Sequence, residues 1–329
     1  MEIQDGAELC FPFLSNSSCK KPAYSLSELV LLHIMLSSIS VLTVTLNLLV
    51  IISVSHYRQL HTPTNILLLS LAVSDFLVGL LLMPGEIIRN TGCWFLGDLT
   101  CFIFIYLSYI ITSASVGDMV LISIDRYVAI CDPLHYPTRV TERRVKLCVC
   151  LCWLCSALYS FLFMKDDLTL LGRHNSCYGE CVVFIDDISG SVDLVLTFIL
   201  PVSVITVLYM RVFVVAVSQA RAMRSHVTTA KLQLSVTIKT KKSELKAART
   251  LGVVMIVFLI CFIPYYCVSL VGADLLNSSS VSFVFYLFYF NSCLNPVIYT
   301  LFYPWFRKAV KFILTLQILQ PGSCQANIL

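Results

Sequence analysis

Seven apolar stretches alternate with short polar ones along this chain, near 29–55, 64–88, 99–124, 147–164, 188–210, 250–273 and 280–303. A helix rises 1.5 Å per residue, so about 20 apolar residues cross the hydrocarbon core of a bilayer. The pattern predicts an all-α membrane protein, a bundle of seven transmembrane helices. Charge is scarce inside the spans. Asp75, Asp118 and Asp193 are the acids set deep within spans two, three and five, and Glu86 lies near the outer end of span two. Beyond the seventh span, residues 305–316 put apolar side chains at helical spacing with Arg307, Lys308 and Lys311 opposite, which predicts a short amphipathic helix on the inner membrane surface. Three regions follow: a tail over 1–28, a seven-helix domain over 29–304, and an amphipathic helix with a cytoplasmic tail over 305–329. The polar stretch 218–249 is basic and partly helical in pattern, and is expected to extend spans five and six beyond the bilayer.

Composition excludes an ordinary soluble domain: 58% of the 329 residues are hydrophobic and 13% charged. The net charge of +4 conceals an asymmetry that orients the chain. Eighteen of the 23 Lys and Arg fall on one side of the spans, leaving Lys20, Lys21, Arg89, Lys165 and Arg173 on the other. By the positive-inside rule the basic side is cytoplasmic and the N-terminus extracellular, in a multi-pass plasma-membrane protein that meets membrane lipids. No short apolar core with a cleavage site precedes span one; residues 1–27 are polar. Glycosylation sequons begin at Asn16 and Asn277, both on the expected outer side, and Asn16 is the candidate acceptor. Of 15 cysteines, Cys10, Cys19, Cys93, Cys101, Cys177 and Cys181 face the side where oxidation is permitted, although counting alone gives no connectivity.

Other classes lack their marks. No internal repeat or line of midplane charges suggests a transporter. No nucleophile or metal cluster suggests an enzyme, the six histidines show no ligand spacing, and no nucleic-acid motif is present. Asp193 then asks for an explanation. It is the only charged residue between Asp187 and Arg211, and an acid near a membrane midplane costs about 2.5–3.5 kcal/mol on insertion scales.

Asp125-Arg126-Tyr127 stands at the inner end of span three and NPVIY at 295–299 in span seven. With Asn47, Asp75, Trp153, Pro201 and Pro264, one mark per span in order, the chain resembles the rhodopsin-like G-protein-coupled receptors. Residues 291–306, NSCLNPVIYTLFYPWF, resemble the long seventh-helix signature of the trace amine-associated receptors at Asn291, Ser292, Asn295, Pro296, Tyr299, Tyr303, Trp305 and Phe306. SHYRQLHTPTN at 55–65 and YPWFRKA at 303–309 are similar to that family as well. The resemblance implies an olfactory-type receptor for volatile amines, coupled through a stimulatory G protein to cyclic AMP. It implies a Cys101–Cys181 disulfide and a second bond from the N-terminal tail to Cys177, through Cys19 or, in competition, Cys10.

One position departs from the amine-receptor pattern. The span-three aspartate expected eighteen residues before Arg126 is Ser108, which accepts a hydrogen bond and cannot neutralise an ammonium. A branch of the family is similar to this sequence in lacking that acid and carrying one on span five. There the ammonium is held by Asp193, eight residues or ~12 Å before Pro201. Ser108, Tyr109, Thr112, Tyr265, Tyr266, Tyr286 and Tyr289 are the expected remainder of the pocket, with cation–π attraction of ~0.5–2 kcal/mol from each well-placed ring. Glu86 is either a solvated helix end or the partner of a second ammonium, which would admit a diamine. The alternative function is a receptor for a non-amine odorant or lipid, with Ser108 as its polar contact. A visual pigment is excluded, because Tyr289 stands in place of the Schiff-base lysine.

The resemblance also supplies a switch. Asp125, Arg126 and Tyr127, with Glu244 on span six, would lock the inner ends; Tyr209 and Tyr299 would support the open form. Phe258, Phe262, Asn295 and Pro296 lie along the transmission path, and Phe262 replaces the tryptophan usual in the class. Asp75, Ser115, Asn291, Ser292 and Asn295 resemble the family's allosteric sodium site, the alternative being a water-filled polar network; no other cofactor is implied. Asp118 is read as structural, packing toward Trp153.

Overall fold

The structure, a computed structural model, describes residues 8–14, 16–21, 26–169, 175–182, 185–226, 252–268 and 278–328. Glu244 and Asn277 lie outside these. Span one is Leu26–His56 and span three Asp98–Cys131; span four, Glu142–Thr169, follows a short turn of helix at Tyr136–Arg139. Span six is described over Gly252–Val268 and span seven is Ser278–Phe302. Spans one to five overrun their apolar stretches at both ends, because polar residues continue a helix past the hydrocarbon at no desolvation cost, while span seven stops at Phe302. Span five runs on to His226, well beyond the apolar limit. Together these elements form a seven-helix, membrane-embedded bundle.

Spans two and five share one irregularity. Span two runs Pro63–Leu77, widens into a π-helical turn over Val78–Leu82, and resumes as Met83–Thr91. Span five repeats this with Asp187–Asp193, a wide turn over Leu194–Ile199, and Leu200–His226. A proline follows the wide turn each time, Pro84 and Pro201. Proline lacks an amide N–H and its ring crowds the carbonyl four residues back, so the turn opens there. Glu86 and Asp193 flank these turns. In span two the wide turn is fixed from span one: Ser40 Oγ donates to the Gly79 carbonyl at 2.7 Å, and a Cβ on Gly79 would lie 3.0 Å from Thr43.

The packing is inverted relative to a soluble protein. Leu154, Phe161, Met210 and Phe213 are exposed on the perimeter, whereas Asn47, Asp75, Asp118 and Asn295 are fully buried. Asn47 Nδ2 donates to the Thr43 and Ser292 carbonyls at 2.9 and 3.0 Å, tying span one to span seven. After Tyr303 the amphipathic helix Pro304–Leu314 buries Trp305, Phe306 and Ala309 and exposes Arg307, Lys308 and Lys311. The chain then folds back beneath span one, where Ser323 meets His56 at 3.0 Å and the Ile328 amide donates to Gln59 Oε1 at 3.2 Å.

Three disulfides strap the opposite end. Cys101–Cys181 joins span three to the loop before span five, and Cys19–Cys177 joins the N-terminal tail to the same loop. Cys10–Cys93 is a third bond, which the sequence reading did not anticipate; it fastens the tail to the loop between spans two and three. Phe11 packs edge-on against Tyr178 at 5.0 Å, and the tail exchanges backbone hydrogen bonds with that residue. Asn16 is exposed on this end.

Candidate ligand cavity and switch

A cavity of about 280 Å³ opens between the spans beneath the disulfide-bearing end. Its wall includes Asp193, Ser108, Tyr109, Thr112, Tyr265, Tyr266, Tyr289 and Glu86. Span five supplies Asp193, whose carboxylate Oδ1 accepts a 2.7 Å hydrogen bond from Tyr159 on span four. No basic side chain among the described residues shares that carboxylate. Thr197, one turn on, donates to the Asp193 carbonyl at 2.7 Å and meets the Tyr266 hydroxyl at 3.1 Å. Tyr266 stacks on Phe198 with centroids 4.1 Å apart, and Tyr265 packs against Tyr266, Phe285 and Phe288. An acid set in a wall of aromatic faces attracts a small organic cation.

Ser108 lines the cavity but donates its hydroxyl to the Phe104 carbonyl at 2.9 Å, one turn back in span three. It offers an incoming ligand an acceptor oxygen. Tyr286 is not among the lining residues. One residue turns a helix by roughly 100°, and span seven instead presents Phe285, Phe288 and Tyr289. Tyr159, Thr197, Ile105, Ser113, Ile185, Phe285 and Phe288 were not singled out by the sequence reading. Thr197 alone had a signal there, standing one helical turn from Asp193.

Glu86 is not a solvated helix end. It is 3% exposed, and its Oε2 accepts from Arg89 Nε at 3.0 Å and from a terminal guanidinium nitrogen at 2.9 Å. Tyr289 of span seven lines the cavity beside this carboxylate, and Phe285 lies under the guanidinium at 5.7 Å. The other acids lie elsewhere. Asp118 accepts from Ser70 at 2.7 Å, and Trp153 Nε1 donates to that serine at 3.1 Å, so Asp118 joins Trp153 through Ser70, away from the cavity.

Below the cavity, Phe262 stacks between Phe258 and Phe288, at 4.0 and 4.3 Å. Asp75 accepts from Asn295 Nδ2 at 2.8 Å, and Ser292 is buried in the same span seven stretch. Asp75 Oδ1, Asn291 Oδ1 and Asn295 Oδ1 are buried with no hydrogen-bond partner among the described residues, and Ser115 is buried with them. At the far end Arg126 pairs with Asp125 and bonds Thr64 of span two. Asp125 also accepts from Thr64 at 2.9 Å and from Tyr136 at 2.8 Å. Tyr127 packs beside Ile130 and Val212. The Tyr209 and Tyr299 hydroxyls are buried without a hydrogen-bond partner among the described residues. Pro296 lies inside span seven, where it has no amide N–H to donate to the Ser292 carbonyl four residues back, and Asn47 Nδ2 meets that carbonyl instead.

The model of the 7 transmembrane receptor (rhodopsin family) matches residues 46–299. Over 98% of this chain and 97% of the relative, the sequence is 38% identical to trace amine-associated receptor 13c of Danio rerio. It is 36% identical to trace amine-associated receptor 1 of Macaca mulatta, over 95% of this chain and 96% of that one. With trace amine-associated receptor 4 of Mus musculus it shares 34% identity, over 98% and 95%.

Proposed function

The chain belongs to the trace amine-associated receptors within the rhodopsin family of seven-transmembrane receptors, and we propose that it senses small amines, biogenic or volatile, through a salt bridge to Asp193. The carrying observation is that carboxylate: it stands in the cavity wall, hydrogen-bonded by Tyr159, with tyrosines on the adjoining faces and no cation beside it among the described residues. In this reading the receptor is of the branch that lacks the span-three acid and anchors the ammonium on span five. Tyr109, Tyr265 and Tyr266 close around the cation, and Ser108 and Thr112 contact the ligand's body. Ammonium and carboxylate each offset the cost of burying the other.

The disulfide-bearing end is extracellular and the Asp-Arg-Tyr end cytoplasmic, in the plasma membrane. Activation releases Arg126 from its partners and lets a heterotrimeric G protein of the stimulatory, olfactory type bind, raising cyclic AMP. An agonist achieves this by binding the open state more tightly than the closed one. A sodium ion at Asp75, Ser115, Asn291, Ser292 and Asn295 favours the closed state. The residues suit it: the buried unpartnered atoms are all oxygens, the ligand type hard cations prefer.

The test is cyclic AMP in cells expressing the receptor, challenged with volatile amines, their uncharged N-acetyl derivatives, and fatty acids. Responses confined to the amines are expected. Activation by the neutral derivatives or fatty acids would favour the non-amine odorant or lipid reading instead.

A further inference from the structure

Among the described residues the cavity holds three charged side chains, and two of them neutralise each other. Asp193 stands on span five; Glu86 and Arg89 stand one helical turn apart on span two. We infer that Arg89 acts as a tethered second cation, which occupies Glu86 and so restricts this receptor to ligands bearing a single ammonium, with an uncharged far end. The inference rests on the amine reading of Asp193.

Three observations converge on this. Arg89 delivers both its Nε and a terminal nitrogen to one oxygen of a carboxylate that is 3% exposed, so the pair belongs to the interior. Span seven packs against the pair: Phe285 lies under the guanidinium at 5.7 Å, and Tyr289 lines the cavity beside Glu86. Both charges line the same cavity as Asp193. With the pair intact the described wall carries one net negative charge, which one ammonium neutralises. A diamine would set its second ammonium beside Arg89, where like charges in a poorly screened space repel.

Removing Arg89 reverses the preference, because a buried carboxylate left without its partner is strongly unfavourable until another cation meets it. A ligand's second ammonium then fills that role. Arg89 is thus a specificity residue, acting on which ligands Glu86 admits.

The experiment compares propyl- to octylamine with the diamines of matched length, reading G-protein activation across all Gα classes at equal surface expression. Wild type is expected to favour each monoamine over its diamine. Arg89→Gln and Arg89→Met should each raise the diamine-to-monoamine potency ratio by about tenfold or more, the scale of one charge-assisted hydrogen bond. Arg89→Lys keeps the cation and should keep the wild-type ratio, and adding Glu86→Gln to Arg89→Gln should abolish the gain. A wild type that prefers diamines overturns the inference without recourse to any variant, and so does an unchanged ratio in both neutral variants. Asp193→Asn, run in parallel, separates the two levels: undiminished amine responses there would sink the anchor reading itself.

Discussion

Asp193 and Ser108 face one cavity with different prospects. Among the described residues the carboxylate has one hydrogen bond, from Tyr159. The serine has already committed its proton to the Phe104 carbonyl. Tyr159→Phe removes the only side-chain donor to Asp193 among the described residues and is expected to lower amine potency by about tenfold or more, the range of a hydrogen bond to a charged group. Ser108→Ala leaves the ammonium site intact, so the same concentration–response measurement should move less than about threefold, within the few tenths of a kcal/mol typical of a non-anchoring contact. A large loss at Ser108 with little at Tyr159 would place the ligand's polar contact on span three. Asp193 was legible in the sequence because a lone acid in an apolar run stands out. Tyr159 was not, since it is one of many aromatics on span four and nothing in its spacing pairs it with a residue 34 positions on. The Glu86–Arg89 pair did leave a trace, an i, i+3 spacing on one helix face. It went unread because the arginine counted only toward the charge asymmetry.

Helices carry these side chains to their stations, and the wide turns in spans two and five decide their final aim. Hydropathy located all seven spans, because each must exclude water over the same thickness. It could not locate the wide turns: proline marks where the backbone ladder fails, while the compensating geometry depends on neighbours such as Ser40, which holds the Gly79 carbonyl. At the other end of the bundle the short helix Tyr136–Arg139 is tied to span three by the Tyr136 hydroxyl on Asp125. This bond helps keep Asp125 and Arg126 together beside Thr64. Tyr136→Phe therefore biases the equilibrium toward the open state. Loss of about 1 kcal/mol corresponds to roughly a fivefold rise in ligand-independent signalling, read as basal G-protein activation per receptor at the surface. Unchanged basal activity would mean that the bond forms equally in both states.

As a whole, the molecule is a polar interior wrapped in an apolar perimeter and strapped at one end. The straps close long stretches of chain: Cys10 and Cys93 are 83 residues apart, and Cys19 and Cys177 are 158. Double replacement by serine at either pair is expected to cost about 2–5 kcal/mol, as for native disulfides elsewhere, and to lower the melting temperature of purified receptor. Equal melting of variant and wild type would show that the tail contributes nothing to the folded state. The Cys101, Cys177 and Cys181 positions were readable through resemblance. Cys93 was not, because an even set of six cysteines admits many pairings and only the folded tail, with Phe11 against Tyr178, selects one. The polar interior leads to a further expectation. Asp75→Asn removes the only formal charge among the five proposed sodium ligands, so sodium should no longer reduce agonist affinity, measured by agonist binding in sodium against a larger organic cation. A sodium effect of the same size in the variant would place the ion elsewhere.

The central claim is that one carboxylate on span five holds the ligand's ammonium, and its most direct test is the amine concentration–response of Asp193→Asn against wild type at matched surface expression. Stranding an ammonium without its buried counter-ion costs about 3–5 kcal/mol, so potency should fall by about 100-fold or more. Asp193→Glu, which retains the charge, should lose less. Equal potency in wild type and Asp193→Asn would contradict the account.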